Sequence, residues 1–419
     1  MSNKIVIGKI KGGAEGLKVT FRSLKYRNYR LFFGGQSISL IGTWIQRIAT
    51  PWLAYDLTHS VFLLGVVGFA GQIPTFLLTP FAGVFTDRWN RYHIMVVTQI
   101  LAMIQALILT WLVFSGSIKV WHIIVLNGFL GCINAFDVPA RQSFVVQMVE
   151  NKDDLSNAIA LNSSMVNGAR LLGPSVAGML IAATGEGICF LLNALSYLFV
   201  IWSLMLMKVV PKEENGKGTS MIAELKEGIS YTFGSGPIRN IILLLALVSL
   251  MGMPYAVLMP VFAKEILLGG SHTFGFLMGA SGLGALMGAL YLASRRSSRG
   301  LEKIIHLAAG VFGFGLITFS FSRFLALSLV LMVVTGLGMM LQMASSNTVL
   351  QTIVDDDRRG RVMGFYTMAI MGTAPFGSLL AGSAAKVIGV PNTLLLGGIS
   401  CVVGAILFAC NFSPMKKIS

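Results

Sequence analysis

Apolar residues run in long uninterrupted blocks along almost the whole chain, with short polar breaks between them. Such blocks lie near residues 31–55, 61–85, 94–114, 119–148, 155–183, 187–207, 238–262, 274–293, 304–321, 325–353, 362–388 and 391–411. About 20 apolar residues in helical form cross the ~30 Å hydrocarbon core of a bilayer. Backbone amides inside lipid must pair within their own segment, which leaves helices as the form these runs can take. The pattern therefore predicts an all-α polytopic membrane protein with twelve transmembrane helices. The fourth, fifth, tenth and eleventh runs exceed the membrane's thickness, and tilt or extension into the cytoplasm absorbs the excess.

The longest polar stretch, 208–237, falls between the sixth and seventh runs. It begins as a flexible linker around KEENGKG and continues as SMIAELKEGISYTF, which reads as an amphipathic helix on the membrane surface. It divides the chain into a basic tail at 1–30, a six-helix bundle at 31–207, the linker at 208–237, a second six-helix bundle at 238–411 and a tail at 412–419. The two halves echo each other at an offset of 204 residues, where Gln147 meets Gln351, Gly168 meets Gly372, Gly173 meets Gly377 and Gly178 meets Gly382. Two such repeats related by a pseudo-two-fold axis along the membrane normal are one design of secondary transporter, with the binding site near the midplane.

Composition agrees with lipid as the solvent: 55% of the 419 residues are hydrophobic and 12% charged, and the mean hydropathy is +0.76. The net charge of +15 raises the question of nucleic acid, and the placement of the charges answers it. Counting Lys and Arg residues outside or at the edges of the runs, the two tails and the segments after even-numbered runs hold 26, against 4 after odd-numbered runs. That bias puts both termini in the cytoplasm and accounts for the basic chain without a nucleic acid partner. Residues 1–30 contain no apolar core of signal-peptide length, so the tail is expected to remain. The cysteines at 132, 189, 401 and 410 all lie in apolar runs and suggest no disulfide or metal role.

Polar residues inside the runs are the candidate chemistry, because a charge in lipid costs several kcal/mol unless it is paired or wet. In the first run Gln36, Thr43, Arg47 and Thr50 recur at helical spacing. Asn127, Gly131, Asn134, Asp137 and Arg141 do so in the fourth, and Ser163, Asn167 and Arg170 in the fifth. The second half offers neutral counterparts, Gln342, Ser346 and Gln351. These stripes are read as the wall of a central cavity, with Arg47 and Arg170 presenting positive charge to an anionic or polar substrate. Asp137, the one carboxylate well inside a run, is open to two readings: a proton carrier, or a structural and gating pair with Arg141 one turn away. Asp56 is placed at the outer surface.

Other classes of function lack their residues. There is no Walker pattern, the five histidines show no metal-ligand spacing, and no G-x-S-x-G elbow occurs, so neither an enzyme nor a cofactor or metal site is expected. A channel's repeated filter or rings of charge are likewise not visible. The 22 Met and 27 Phe fit lipid-facing and packing positions and do not identify a cargo.

The loop after the second run reads GVFTDRWNRYH, with Gly83, Asp87, Arg88 and Arg91. It resembles the loop signature of the major facilitator superfamily, G-x-x-x-D-[RK]-x-G-[RK]-[RK], with Asn90 and Tyr92 departing from it. Asn tolerates a left-handed turn, so the chain is expected to reverse at Asn90. By the resemblance this loop steadies a cytoplasmic gate; the corresponding ASRRSSRGLEK of the second half lacks the Asp. In the fifth run GARLLGPSVAGML, with Gly173, Pro174 and Gly178, is similar to the glycine and proline motif of the superfamily's antiporters, where Pro174 would kink the helix.

Longer stretches, 21–47, 134–145 and 155–178, resemble a subgroup that includes bacterial exporters of the siderophore enterobactin. The resemblance covers most of the first half. It implies the major facilitator fold, a monomer in the bacterial inner membrane, and proton-coupled efflux of a small organic molecule by alternating access. A siderophore-like metabolite, a drug or a lysophospholipid are the cargo classes it leaves, and uptake rather than export remains an alternative.

Overall fold

A computed structural model of the chain describes residues 21–208, 230–295, 300–355 and 358–411. Twelve long helical segments run back and forth through it, and no strand occurs among the described residues. The first half consists of α1 (Arg27–Thr58), α2 (Val61–Arg88), α3 (Arg91–Phe114), α4 (Val120–Gln147), α5 (Lys152–Thr184) and α6 (Glu186–Met205). The second consists of α7 (Gly236–Ile266), α8 (Ser271–Ser294), α9 (Leu301–Phe321), α10 (Leu325–Ile353), α11 (Arg359–Ile388) and α12 (Val390–Asn411). Most of the linker and its surface helix lies outside the described residues; Ser230–Gly234, at its end, is helical.

Eleven of these helices are long and apolar enough to cross a membrane. The other is α1, which the hydrophobic pattern had counted with the rest. Its length suffices, but the stripe of Gln36, Gln46, Arg47 and Thr50 makes it too polar, and Gln36, Gln46 and Thr50 are buried against other helices. A helix that shows lipid little of its surface does not need a uniformly apolar one.

The halves meet along two crossings, α2 against α11 and α5 against α8. The glycine echo has its physical reason here. A Cβ on Gly178 would strike the backbone of Ser271 and Gly275, and a Cβ on Gly382 would strike the backbone of Val61 and Gly65. One level along, Gly173 abuts Trp44 of α1, and Gly377 abuts Leu250 and Pro254 of α7. The repeat thus places the same small residues at symmetry-equivalent crossings, where backbones touch as in small-residue packing of membrane helices. Helix α5 continues through Pro174 as one α-helix, and the Pro174 carbonyl forms part of the surface packed on Gly275.

Two helices depart from regular α geometry. Helix α7 contains wider π-turns at Val248–Gly252 and Phe262–Ile266, and α11 contains one at Met368–Gly372. Each frees backbone groups within a span. Ser249 uses this, donating its hydroxyl to the Ile370 carbonyl at 2.6 Å and tying one π-turn to another.

A short turn before α1, Arg22–Lys25, is fastened to the start of α5. Arg22 and Lys25 pair with the buried Asp154 at 2.8 and 2.7 Å, and the Ser23 hydroxyl donates to Asn157 at 2.7 Å. The hydrogen bond to Asp154 raises the Lys25 pKa above its usual value.

Candidate functional site

Among the described residues, the contacts between halves extend only part of the way along the molecule. They begin at the end that carries the α1–α2, α5–α6 and α7–α8 connections and reach as far as Gly282 beside Arg170 and Gly372 beside Phe76. Beyond that level the space opens: a Cβ on Gly168, Gly360 or Gly364 would meet nothing within 4 Å. Among the described residues, a cleft therefore separates the halves at the end bearing the basic loops.

Arg47, Arg141 and Arg170 gather where the cleft ends. Arg47 lies midway along α1, deep among helices yet exposed to solvent, as a residue on a cavity wall must be. Its guanidinium lies 5.1 Å from the centre of the Trp44 ring, a cation–π contact. It also feels the charges of Arg141 from α4 and Arg170 from α5. Arg170, half-buried, reaches across to the Met339 sulfur of α10 at 3.6 Å, so the second half contributes to the same wall. The only carboxylate described within this group is Asp137, which lies 3.5 Å from Arg141. Three cations and one anion leave the pocket positive.

Asp137 itself is 6% exposed and fully engaged. One oxygen accepts from Thr98 Oγ1 at 3.0 Å and Gln99 Nε2 at 2.7 Å, both on α3, and the other faces Arg141. It fastens α3 to α4. Beside it a second buried network joins α1, α3, α4 and α6: Asn193 donates to Gln46 at 2.7 Å, Gln46 to Gln105 at 3.0 Å, and Gln105 to the Leu126 carbonyl at 3.3 Å. The polar pattern within single helices contained no signal for Thr98, Gln99, Gln105 or Asn193. What could have flagged them is the presence of glutamines and an asparagine in runs otherwise apolar.

The remaining candidates scatter. Thr43 turns its hydroxyl back to the Ser39 carbonyl at 2.9 Å, Asn167 bonds the Ser163 carbonyl at 2.9 Å, and Asn127 donates to the Val67 carbonyl at 3.0 Å, linking α4 to α2. Asn134 is half-buried in α4. Gln36 is buried, and its Oε1 has no partner among the described residues. Among the described residues Gln342, 1% exposed, has neither amide atom paired, and the hydroxyls of Ser345 and Ser346 on the same face of α10 are also unpaired.

Gly83, Asp87 and Arg88 of the gate loop lie in α2, and their side chains fall outside the described residues. The reversal expected from a left-handed Asn90 is corrected. Asn90 is extended, with φ −63° and ψ 112°, and caps α3 by accepting from the Tyr92 amide at 2.9 Å, so the chain turns by helix capping. Arg91 is the first residue of that helix.

Comparison with known proteins agrees with the fold. The family described as transmembrane secretion effector matches residues 18–418. The chain is 26% identical over 382 residues to the staphyloferrin A transporter of Staphylococcus aureus, covering 90% of this chain and 95% of that one. It is 23% identical over 396 residues to macrolide efflux protein A of Streptococcus pyogenes, with 91% and 96% covered. Among solved structures, that of the nucleoside transporter NupG superposes with a TM-score of 0.72 at 12% identity, covering 93% of this chain and 99% of that one, a likeness of fold alone.

Proposed function

From the premise that this chain belongs to the transmembrane secretion effector family of major facilitator transporters, we propose that it exports a small, polar, anionic organic molecule across the bacterial inner membrane, driven by protons. It is a multi-pass transporter and not an enzyme. The observation that carries the choice of cargo is the excess of positive charge around the cleft, Arg47 and Arg170 beside the Arg141–Asp137 pair. A positive site between low-dielectric helix walls strengthens attraction to carboxylate or phenolate groups. The two relatives act on different cargoes by their names, staphyloferrin A and macrolides. The charge of this site favours the metabolite over the drug.

In the orientation given by the positive-inside bias, the cleft opens to the cytoplasm and the other end is shut. The chain then stands ready to load cargo from inside, as export requires. The bonds around Asp137 support its reading as the pair that braces α3 and α4 beside the cavity: an acid with both oxygens engaged is poorly placed to exchange protons with each side in turn.

The test uses inverted membrane vesicles energised by respiration, with the pH gradient followed by a fluorescent dye. Iron-free and ferric siderophores, a macrolide and a lysophospholipid are added in turn. Dissipation by the anionic siderophores, weakened about tenfold or more in apparent affinity in Arg47→Gln and Arg170→Gln, is the expected result. A response confined to the macrolide or the lysophospholipid would transfer the cargo to that class. Equal transport by both Arg variants would remove the cavity assignment.

A further inference from the structure

The end of the molecule where the halves meet carries a charged and aromatic latch that cargo binding does not use. Lys264 and Glu265 lie on the π-turn Phe262–Ile266 of α7, and both neighbours reach the same partner helix, α1. The Tyr55 hydroxyl donates to Glu265 Oε1. Lys264 Nζ pairs with Asp56 Oδ1 at 2.6 Å and lies 5.9 and 5.8 Å from the centres of the Trp52 and Tyr55 rings. Trp52 in turn stacks on Phe274 of α8, 6.1 Å between ring centres.

The surrounding charges come from every neighbouring element. Glu186, opening α6, lies in the field of Asp56 and Lys264. His59, ending α1, stands edge-on to Tyr55 at 5.8 Å. His272 occupies the first turn of α8, and Lys386 near the end of α11 lies over Phe62 of α2. Three carboxylates thus share the immediate field of one lysine, and Glu265 and Asp56 are both exposed to the solution on that side.

We infer that Glu265 is a positioning residue of the transport cycle, and that its protonation from the outer solution releases the latch and lets that end of the cleft open. The inference rests on the transporter reading above for its place in the cycle. A hydroxyl bonded to an ionised carboxylate is held roughly twice as strongly as one bonded to a neutral acid. Adding a proton to Glu265 weakens the Tyr55 bond and removes part of the attraction for Lys264. Both changes act at the one place where α1 and α7 hold the outer ends together by charge. Acid outside therefore favours the outward-open arrangement, and alkaline solution favours the closed one.

The experiment needs no cargo, so its failure is distinct from failure of the transport assay. The exposed residues Leu57 and Leu268 stand at the latch end of α1 and just beyond α7. Leu57→Cys and Leu268→Cys are spin-labelled in a protein whose four native cysteines are replaced, reconstituted in lipid nanodiscs. Inter-label distances are measured by pulsed electron resonance at about pH 8 and about pH 3, on either side of the ordinary carboxylate range. One short separation at the higher pH, and a longer population rising to more than about half at the lower, is expected. Glu265→Gln, the neutral isostere, should show the longer population at both. Identical distributions at the two pH values overturn the inference, as does a pH response that persists in Glu265→Gln. Should Glu265→Gln fail to fold, Tyr55→Phe removes the same bond and should show the longer population already at about pH 8; the short separation alone in that variant overturns the inference.

Discussion

The two halves share one topology and differ in how they hold their polar interiors. In the first half the six helices are regular throughout, and Asp137, Gln46, Gln105 and Asn193 are tied into networks that cross between helices. In the second half α7 and α11 are interrupted by π-turns, and Gln342, Ser345 and Ser346 of α10 are buried with no partner among the described residues. The contrast has exceptions at single atoms, Gln36 Oε1 and Gln99 Oε1. A buried polar group without a partner costs about 1–3 kcal/mol, so the second half stands further from its own optimum. The lesson is a division of labour: the first half is a braced platform carrying the charge, and the second is the half with slack in its helices and hydrogen bonds. Slack is what a protein that must occupy two arrangements needs somewhere, and proteins place it at functional positions.

Five substitutions test that contrast. The largest effect is expected from Asp137→Ala, which leaves the half-buried Arg141 without its counter-charge and the Gln99 amide without its acceptor. A loss of ~3–5 kcal/mol, read as a lower unfolding temperature in detergent, follows from breaking a buried pair; a loss below about 1 kcal/mol would mean that the platform is not braced there. Next come Gly178→Ala and Gly382→Ala, whose new methyl groups meet backbone across the two crossings. Forced separation at such a site costs ~1–3 kcal/mol. Because that cost falls on the arrangement in which these ends touch, the fraction closed at the latch end should drop in both variants, measured by the same spin-label pair. A fall in only one would show that the crossings are not equivalent. The smallest effect is the sharpest comparison. Gln46→Leu should destabilise by ~1–3 kcal/mol by stranding Gln105 and Asn193. Gln342→Leu, which strands nothing, should be neutral or slightly stabilising. Equal losses in thermal unfolding would erase the distinction between halves.

Much of this was legible along the chain, and the reasons are physical. Hydrophobic run length gave the helices to within a few residues, because the bilayer's thickness is an external ruler. The glycines at 178 and 382 were visible as an echo, because a repeat preserves the residues its crossings require. The Asp137–Arg141 pair was visible because both lie on one helix, one turn apart. Thr98 and Gln99 were not, since they reach Asp137 from another helix at a rotation that packing sets. The latch escaped for the same reason: Tyr55 and Glu265 are 210 residues apart, and Glu265 is aimed by a π-turn that nothing in its neighbours' hydrophobicity announces.

By itself the sequence determined that this protein lives in a bilayer, as helices of known number and length, with its basic loops on one side. Those properties follow from transfer of each residue between water and lipid, which is local and additive along the chain. Tertiary structure alone decided which polar residues meet, which remain unpaired, and which end of the cleft is shut. Those depend on the rotation and mutual fit of whole helices, where a turn of one residue exchanges a buried face for a lipid-facing one, and no local sum contains them.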